Sequence, residues 1–166
     1  MSVTVVSDQT GRIARQLRLL ERKTVTIGVH GDAGTHGNSG ETVASIAAQH
    51  EFGTSSVPER SFMRAGMAAN GDEIADDLVK QVSKMIEGDG LQPGQIALRG
   101  GVLIQGAIRE TIAAGIDPEL SPTTKQRRDE KGSNSTGVAS NVGQYTPLVD
   151  TGQLWQSLVV RVGEGG

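Results

Sequence analysis

The tightest constraint on this chain lies at positions 50–63: His50-Glu51-Phe52-Gly53-Thr54-Ser55-Ser56-Val57-Pro58-Glu59-Arg60-Ser61-Phe62-Met63. A run with helical character, 42–49, leads into it. Gly53 stops that run, because glycine readily takes the left-handed conformation that ends helices. The residue before Pro58 is pushed out of the helical region, so 54–57 is extended or turning. A long helix-rich region then starts near Arg60. Two helices therefore meet at a corner, with Phe52 before it and Phe62 after it. These are the 2 phenylalanines of the sequence, and both rings are expected as core anchors near the bend. Arg60 falls at the bend itself. Alone it reads as a solvated surface arginine, and the alternative is a pair with a carboxylate such as Glu51.

Around this corner the chain alternates patterned segments with glycine-rich ones. Ser7 or Asp8 can cap a first helix within 1–23. Its apolar stripe is Ile13, Leu17 and Leu20, and its basic stripe is Arg12, Arg15, Arg18 and Arg22. The basic stripe reads first as the solvated side of an amphipathic helix, and otherwise as a contact for an acidic partner or nucleic-acid phosphate. In 23–30, Val25, Ile27 and Val29 alternate with Thr24, Thr26 and Gly28, the signature of a half-buried strand. Residues 31–40 form a flexible loop or a hairpin tip, and a short helix follows over 43–50. Beyond the corner, Ile74, Leu78, Val82 and Ile86 repeat every four residues, with Met63, Met67 and Met85 on the same apolar side. Gly66 and Gly71 allow a kink near Asn70. Pro93 opens another helix, about 94–114. Within it Gly100 and Gly101 cost roughly 1 kcal/mol each relative to alanine, unless another backbone packs closely there. Ser121-Pro122 starts a short helix, and residues 132–143 form a second flexible loop. Asp150, Thr151 and Gly152 form a turn, with Asp150 accepting from the backbone two residues on and Gly152 at positive φ. The turn launches a last strand, 155–162, antiparallel to 25–29. Trp155 reads as a half-buried sheet residue or as an interface anchor.

The totals suit a single domain spanning 1–166 with a real core. The 23 glycines are about twice ordinary usage, which fits a globular centre with long connections. A net charge of −3 argues against broad nucleic-acid affinity. With 0 cysteines, there is no disulfide and no thiolate ligand or nucleophile. No apolar run approaches the roughly 18–20 residues of a membrane span, and 1–9 lacks the pattern of a secretory signal.

The search for chemistry returns little. His30, Asp32 and His36, with His50 and Glu51 further on, include metal-ligand types. On a glycine-rich loop they are poorly pre-organised and read as solvated polar groups. No Gly-x-Ser-x-Gly elbow, phosphate loop or dinucleotide fingerprint occurs. Asp72, Glu73, Asp76 and Asp77 read as helix-dipole partners and solubilising charge rather than as paired catalytic carboxylates.

Two segments, taken together, carry a resemblance. The first is Ile46-Ala47-Ala48-Gln49-His50-Glu51-Phe52-Gly53-Thr54 followed by Val57-Pro58-Glu59-Arg60-Ser61-Phe62-Met63. The second is Pro147-Leu148-Val149-Asp150-Thr151-Gly152-Gln153-Leu154-Trp155-Gln156-Ser157-Leu158. Between them lies Ser121-Pro122-Thr123-Thr124-Lys125. In this order they resemble the tail-completion, or head–tail joining, family of tailed-bacteriophage neck proteins, which overlaps with virion-morphogenesis proteins of Mu-like phages. Glu59 stands where that family frequently has a small residue, and Ser61 where it frequently has proline. The first helix with its four arginines is less typical of it. The resemblance implies an α+β fold, a small antiparallel sheet packed against a long helix, with extended glycine-rich loops. It implies a ring, commonly hexameric, between head connector and tail tube, assembled in the host bacterial cytoplasm. DNA would pass through that ring without specific binding, with no catalysis and no cofactor. Glu51, Phe52, Gly53, Pro58, Arg60 and Phe62 would form its structural corner. Arg12, Arg15, Arg18, Arg22, His36 and Trp155 are the candidate interface. A tail terminator that caps tube polymerisation is the neighbouring alternative. A DNA-binding regulator using the N-terminal arginines is the alternative of another class.

Overall fold

The computed structural model describes residues 9–37, 40–131 and 145–165. Within them the order is α1 (Thr10–Glu21), β1 (Lys23–Val29), α2 (Val43–Phe52), α3 (Phe62–Glu87), α4 (Pro93–Ala114), α5 (Pro122–Lys131), α6 (Gln153–Gln156) and β2 (Leu158–Glu164). This is an α+β arrangement. β1 and β2 pair antiparallel, with Val25 opposite Val162, Ile27 opposite Val160 and Val29 opposite Leu158. That two-stranded sheet packs on α4, and α3 packs along the length of α4. Ser7, Asp8 and the 132–143 loop lie outside the described residues.

α4 is the spine because it can be approached closely from two sides. A Cβ on Gly101 would overlap Val160 Cγ1 and lie 2.9 Å from Val25 Cγ1, so the sheet rests against bare helix backbone. On α3, a Cβ on Gly66 would stand 2.7 Å from Ile108 Cα. These glycines are where neighbouring elements touch, which offsets their poor helix propensity. Gly66 and Gly71 do not break α3, which is one helix over 26 residues. Pro93 begins α4 with a capping box between Gln92 and Gln95. Ser121 Oγ accepts from the Thr124 N–H at 3.2 Å at the start of α5.

The main core joins Val43 and Ala47 of α2, Phe62 of α3, Ile108 and Ile112 of α4, Val149, Leu154 and Leu158. Three expectations need correcting here. Phe52 is not in the core: it is 68% exposed, whereas Phe62 is 0% exposed. The last strand starts at Leu158, because residues 153–156 form one helical turn. Trp155 sits on that turn, partly buried against the core, and not in the sheet. The apolar side of α1 is not sealed either. α1 holds no buried residue, and Leu17 and Leu19 are 41% and 42% exposed. Met67 likewise faces outward.

Candidate functional site

At the corner, α2 ends at Gly53 with φ +71° and ψ 166°. The positive φ is as expected, but the ψ sends the chain out extended rather than into a left-handed helical cap. A Cβ there would lie 3.1 Å from the Glu59 backbone N. The Thr54 hydroxyl accepts from the Ser56 and Val57 N–H groups at 3.2 and 2.9 Å and closes a tight turn. Thr54 N–H donates to Val57 O at 2.8 Å, and Arg60 N–H returns to His50 O at 2.6 Å. The turn around Val57-Pro58 thus satisfies a carbonyl that α2 leaves open at its end.

Glu51 is the chemical centre of this joint. It is 4% exposed. One carboxylate oxygen accepts from Met63 N–H at 2.9 Å, and the other from Arg64 N–H at 3.2 Å and Arg64 Nε at 2.9 Å. Ser61, the residue preceding α3, makes no side-chain cap. The carboxylate of the previous helix does that work instead: it satisfies orphan N–H groups and faces the positive end of α3. Arg64 Nη2 also reaches Glu51 O and Glu59 Oε1, both at 2.7 Å. These bonds to Glu51 and Glu59 hold the Arg64 guanidinium above its ordinary pKa. Arg64 lies 5.3 Å from the centroid of the exposed Phe52 ring, a cation–π contact.

The partner of Glu51 is therefore Arg64, not Arg60. Nor is Arg60 a solvated surface residue, since it is 5% exposed. Its Nε donates to Pro118 O at 2.7 Å and its Nη2 to Glu119 O at 3.0 Å. Burial pulls its pKa below the ordinary arginine value. The result is a strap from the corner to the segment that leads into α5.

A cleft of about 240 Å³ opens beside Arg60. Its walls bring the corner, through His50 and Arg60, against the late turn at Asp150, Thr151 and Gly152. His36 and Arg128 also line it. Arg128 is 7% exposed. It donates to Thr146 O at 3.1 Å, and its Nε stands 3.7 Å from Asp150 Oδ1. Burial lowers its pKa, and Asp150 acts against that shift. His50 is likewise pushed below its ordinary value, first by burial and then by the charge of Arg60. Its Nδ1 is buried with no hydrogen-bond partner among the described residues.

The turn itself differs in detail from expectation. Gly152 has φ +78° and precedes α6. Thr151 Oγ1 accepts from Gln153 N–H at 3.4 Å, while Asp150 faces Arg128. Leu148, just upstream, has φ +66°, a conformation uncommon for a bulky side chain. Gln153 clips the glycine-rich loop to this turn: its Nε2 donates to Thr35 O at 3.0 Å, and its Oε1 lies 2.8 Å from His36 Nδ1. That loop is a hairpin closed by the Thr35–Thr42 bridge. Asp32 pairs with Arg161 through both carboxylate oxygens at 2.6 and 2.5 Å. His36 is thus a tied, part-buried side chain, whereas Asp32 stays exposed at the surface in its ion pair with Arg161.

The N-terminal arginines do not form one free face. Arg12 turns inward and donates to Met85 O and Ile86 O at 3.3 and 2.6 Å, while Arg15, Arg18 and Arg22 are exposed. Trp155 meets the Arg109 guanidinium at 6.0 Å. Sequence reasoning missed Arg64, Arg128 and Gln153. Arg128 sits in the charged run 125–131, where nothing in the spacing separates it from solvated neighbours, and Arg64 is a single charge within an apolar and small-residue stretch. Among the described residues, no group of three His, Asp or Glu side chains could hold a metal ion, and no helix is long and apolar enough to cross a membrane. In comparisons with known proteins, no family model, no curated protein and no solved structure matches the chain.

Proposed function

We propose that this chain is a structural subunit of a tailed-phage neck, forming a ring that joins the DNA-filled head to the tail. One observation carries the reading. The segments behind the resemblance, 46–63 and 147–158, lie about a hundred residues apart in sequence and converge on a single cleft. The polar side chains of the corner and of α5 beside this cleft are used to hold backbone. Glu51 caps α3, Arg60 grips Pro118 and Glu119, and Arg128 grips Thr146. Side chains fixed in this way brace a subunit that must keep its shape under load, and they are poorly placed to turn over a substrate. In the ring, the glycine-rich loop around 31–37 reaches a neighbouring subunit. The subunits sit in the virion at the head–tail junction, and DNA passes without specific contacts.

The test is deletion of the gene in a phage that encodes the chain, followed by electron microscopy of the lysate. DNA-filled heads beside finished but unattached tails are expected. Overlong tails would move the assignment to a tail terminator, and normal infectious particles would remove it from the neck.

A further inference from the structure

Two outward surfaces of this subunit carry opposite charges around exposed apolar side chains and share no lining residue. The first is the outer side of α1. Arg15, Arg18, Leu19 and Arg22 follow helical spacing along it and line one shallow groove. Leu19 is 42% exposed at its centre, and Arg15 and Arg22 have no side-chain partner among the described residues. Arg12, at the N-terminal end of the same basic stripe, is used within the chain, where α1 packs against α4 and α3.

The second is a groove between α3 and α4, lined by Asn70, Glu73 and Asp77 on one side and Val102, Gly106 and Glu110 on the other. Val102 is 50% exposed there, and Leu98, one turn earlier, is 48% exposed. Glu73 and Glu110 have no ion-pair partner among the described residues, and Asp77 is held by Arg99 at 2.5 Å. These acids were expected to serve the dipole of α3. They do not, because the first turn of α3 carries no acidic residue and the cluster lies in mid-helix. Asp72 with Asp76, and Glu73 with Asp77, instead set like charges four residues apart, which destabilises an isolated helix. Arg99 and Lys80 answer Asp77 within the chain, which leaves Glu73 and Glu110, around exposed apolar side chains, to fit a cationic apolar partner.

We infer that the α3–α4 groove receives helix α1 of a second copy, with Arg15, Arg18 and Arg22 against Glu73, Asp77 and Glu110, and Leu19 against Val102. The inference rests on the ring reading and names the contact that builds it. A patch that binds a different patch of an identical chain is heterologous, and such contacts close into rings or run on as filaments.

The experiment uses the full chain and two charge-reversed variants, Arg15→Glu/Arg18→Glu/Arg22→Glu and Glu73→Arg/Glu110→Arg, with particle mass read by light scattering. Each variant alone is expected at single-chain mass with an unchanged melting temperature. Mixed in equal amounts they regain opposite charges across every contact, and assembly returns. A wild-type ring that both variants still form overturns this contact and leaves the ring reading standing. Monomeric variants that do not assemble when mixed also overturn it. A wild type that stays monomeric at millimolar concentration overturns it too. Salt-sensitive binding of duplex DNA, lost in the α1 variant with no change in assembly, would assign those arginines to nucleic acid instead.

Discussion

Phe52 and Phe62 frame the same corner, yet the structure separates them sharply, and alanine replacements measure the difference. Phe62 is 0% exposed and packs with Val43, Ile108, Ile112 and Leu158. A buried phenylalanine removes about 150–250 Å² from water. At about 25 cal/mol per Å², that is about 4–6 kcal/mol as an upper bound. Truncation series, which add the cavity term, give about 3–5 kcal/mol for Phe→Ala. Phe52 is 68% exposed and contributes little beyond its cation–π contact with Arg64, about 0.5–1 kcal/mol at an exposed site. Urea titration of both variants, with the slope checked for constancy, should show Phe62→Ala losing about 3–5 kcal/mol and Phe52→Ala under about 1 kcal/mol. Similar losses in the two variants, or a larger loss at Phe52, would refute the packing described here.

Glu51→Gln removes the charge that caps α3 and holds Arg64, and should cost about 1.5–3 kcal/mol by urea titration; a neutral result would mean that the carboxylate is solvated. Gly101→Ala should lower the melting temperature, because overlap with Val160 and Val25 costs about 1–3 kcal/mol and outweighs a propensity gain of about 1 kcal/mol. A more stable variant would show that the sheet does not rest on that backbone. His50 supplies a pH dependence. Its folded pKa is depressed by burial and by Arg60, so the unfolded chain takes up this proton first as pH falls. Its contribution is fully present above the unfolded pKa, about 6.5, and is lost as pH falls from there toward the folded value. In His50→Gln, stability measured between pH 7.5 and about 5 should fall less steeply than in wild type. Parallel curves would place His50 in solvent.

Much of the fold was legible because local rules and tertiary packing agree. Alternation at Val25, Ile27 and Val29 marked β1, Pro93 and Ser121 marked helix starts, and Gly53 marked a helix end. The proviso on Gly100 and Gly101 asked for another backbone, but side chains meet them instead: Leu78 of α3 at Gly100, and Val160 and Val25 of the sheet at Gly101. Where spacing serves two structures, the sequence misled. Leu154 and Leu158 are four apart, which fits both a helical turn and strand alternation. Gln156 stands as a polar residue between these two leucines, where a strand's apolar face would continue, and it falls in the helical turn 153–156. The two phenylalanines look equivalent because composition carries no direction, and only the angle between α2 and α3 decides which ring faces inward. The clasp at Glu51 was half legible. A carboxylate near an arginine was expected, but Arg64 won over Arg60 because it lies in the first turn of α3, directly above the carboxylate that caps it. Arg128 was hidden in the charged run 125–131, whose burial depends on a turn about twenty residues away.

Whether this chain closes a phage neck can be read from tail ends. Tails collected from a lysate lacking the chain would be mixed with the purified protein and imaged, with the protein imaged alone alongside. A neck subunit should appear as annular particles or as a discrete ring capping one end of each tail, and those tails should then join DNA-filled heads. Bare tail ends together with a strictly monomeric protein would contradict the assignment.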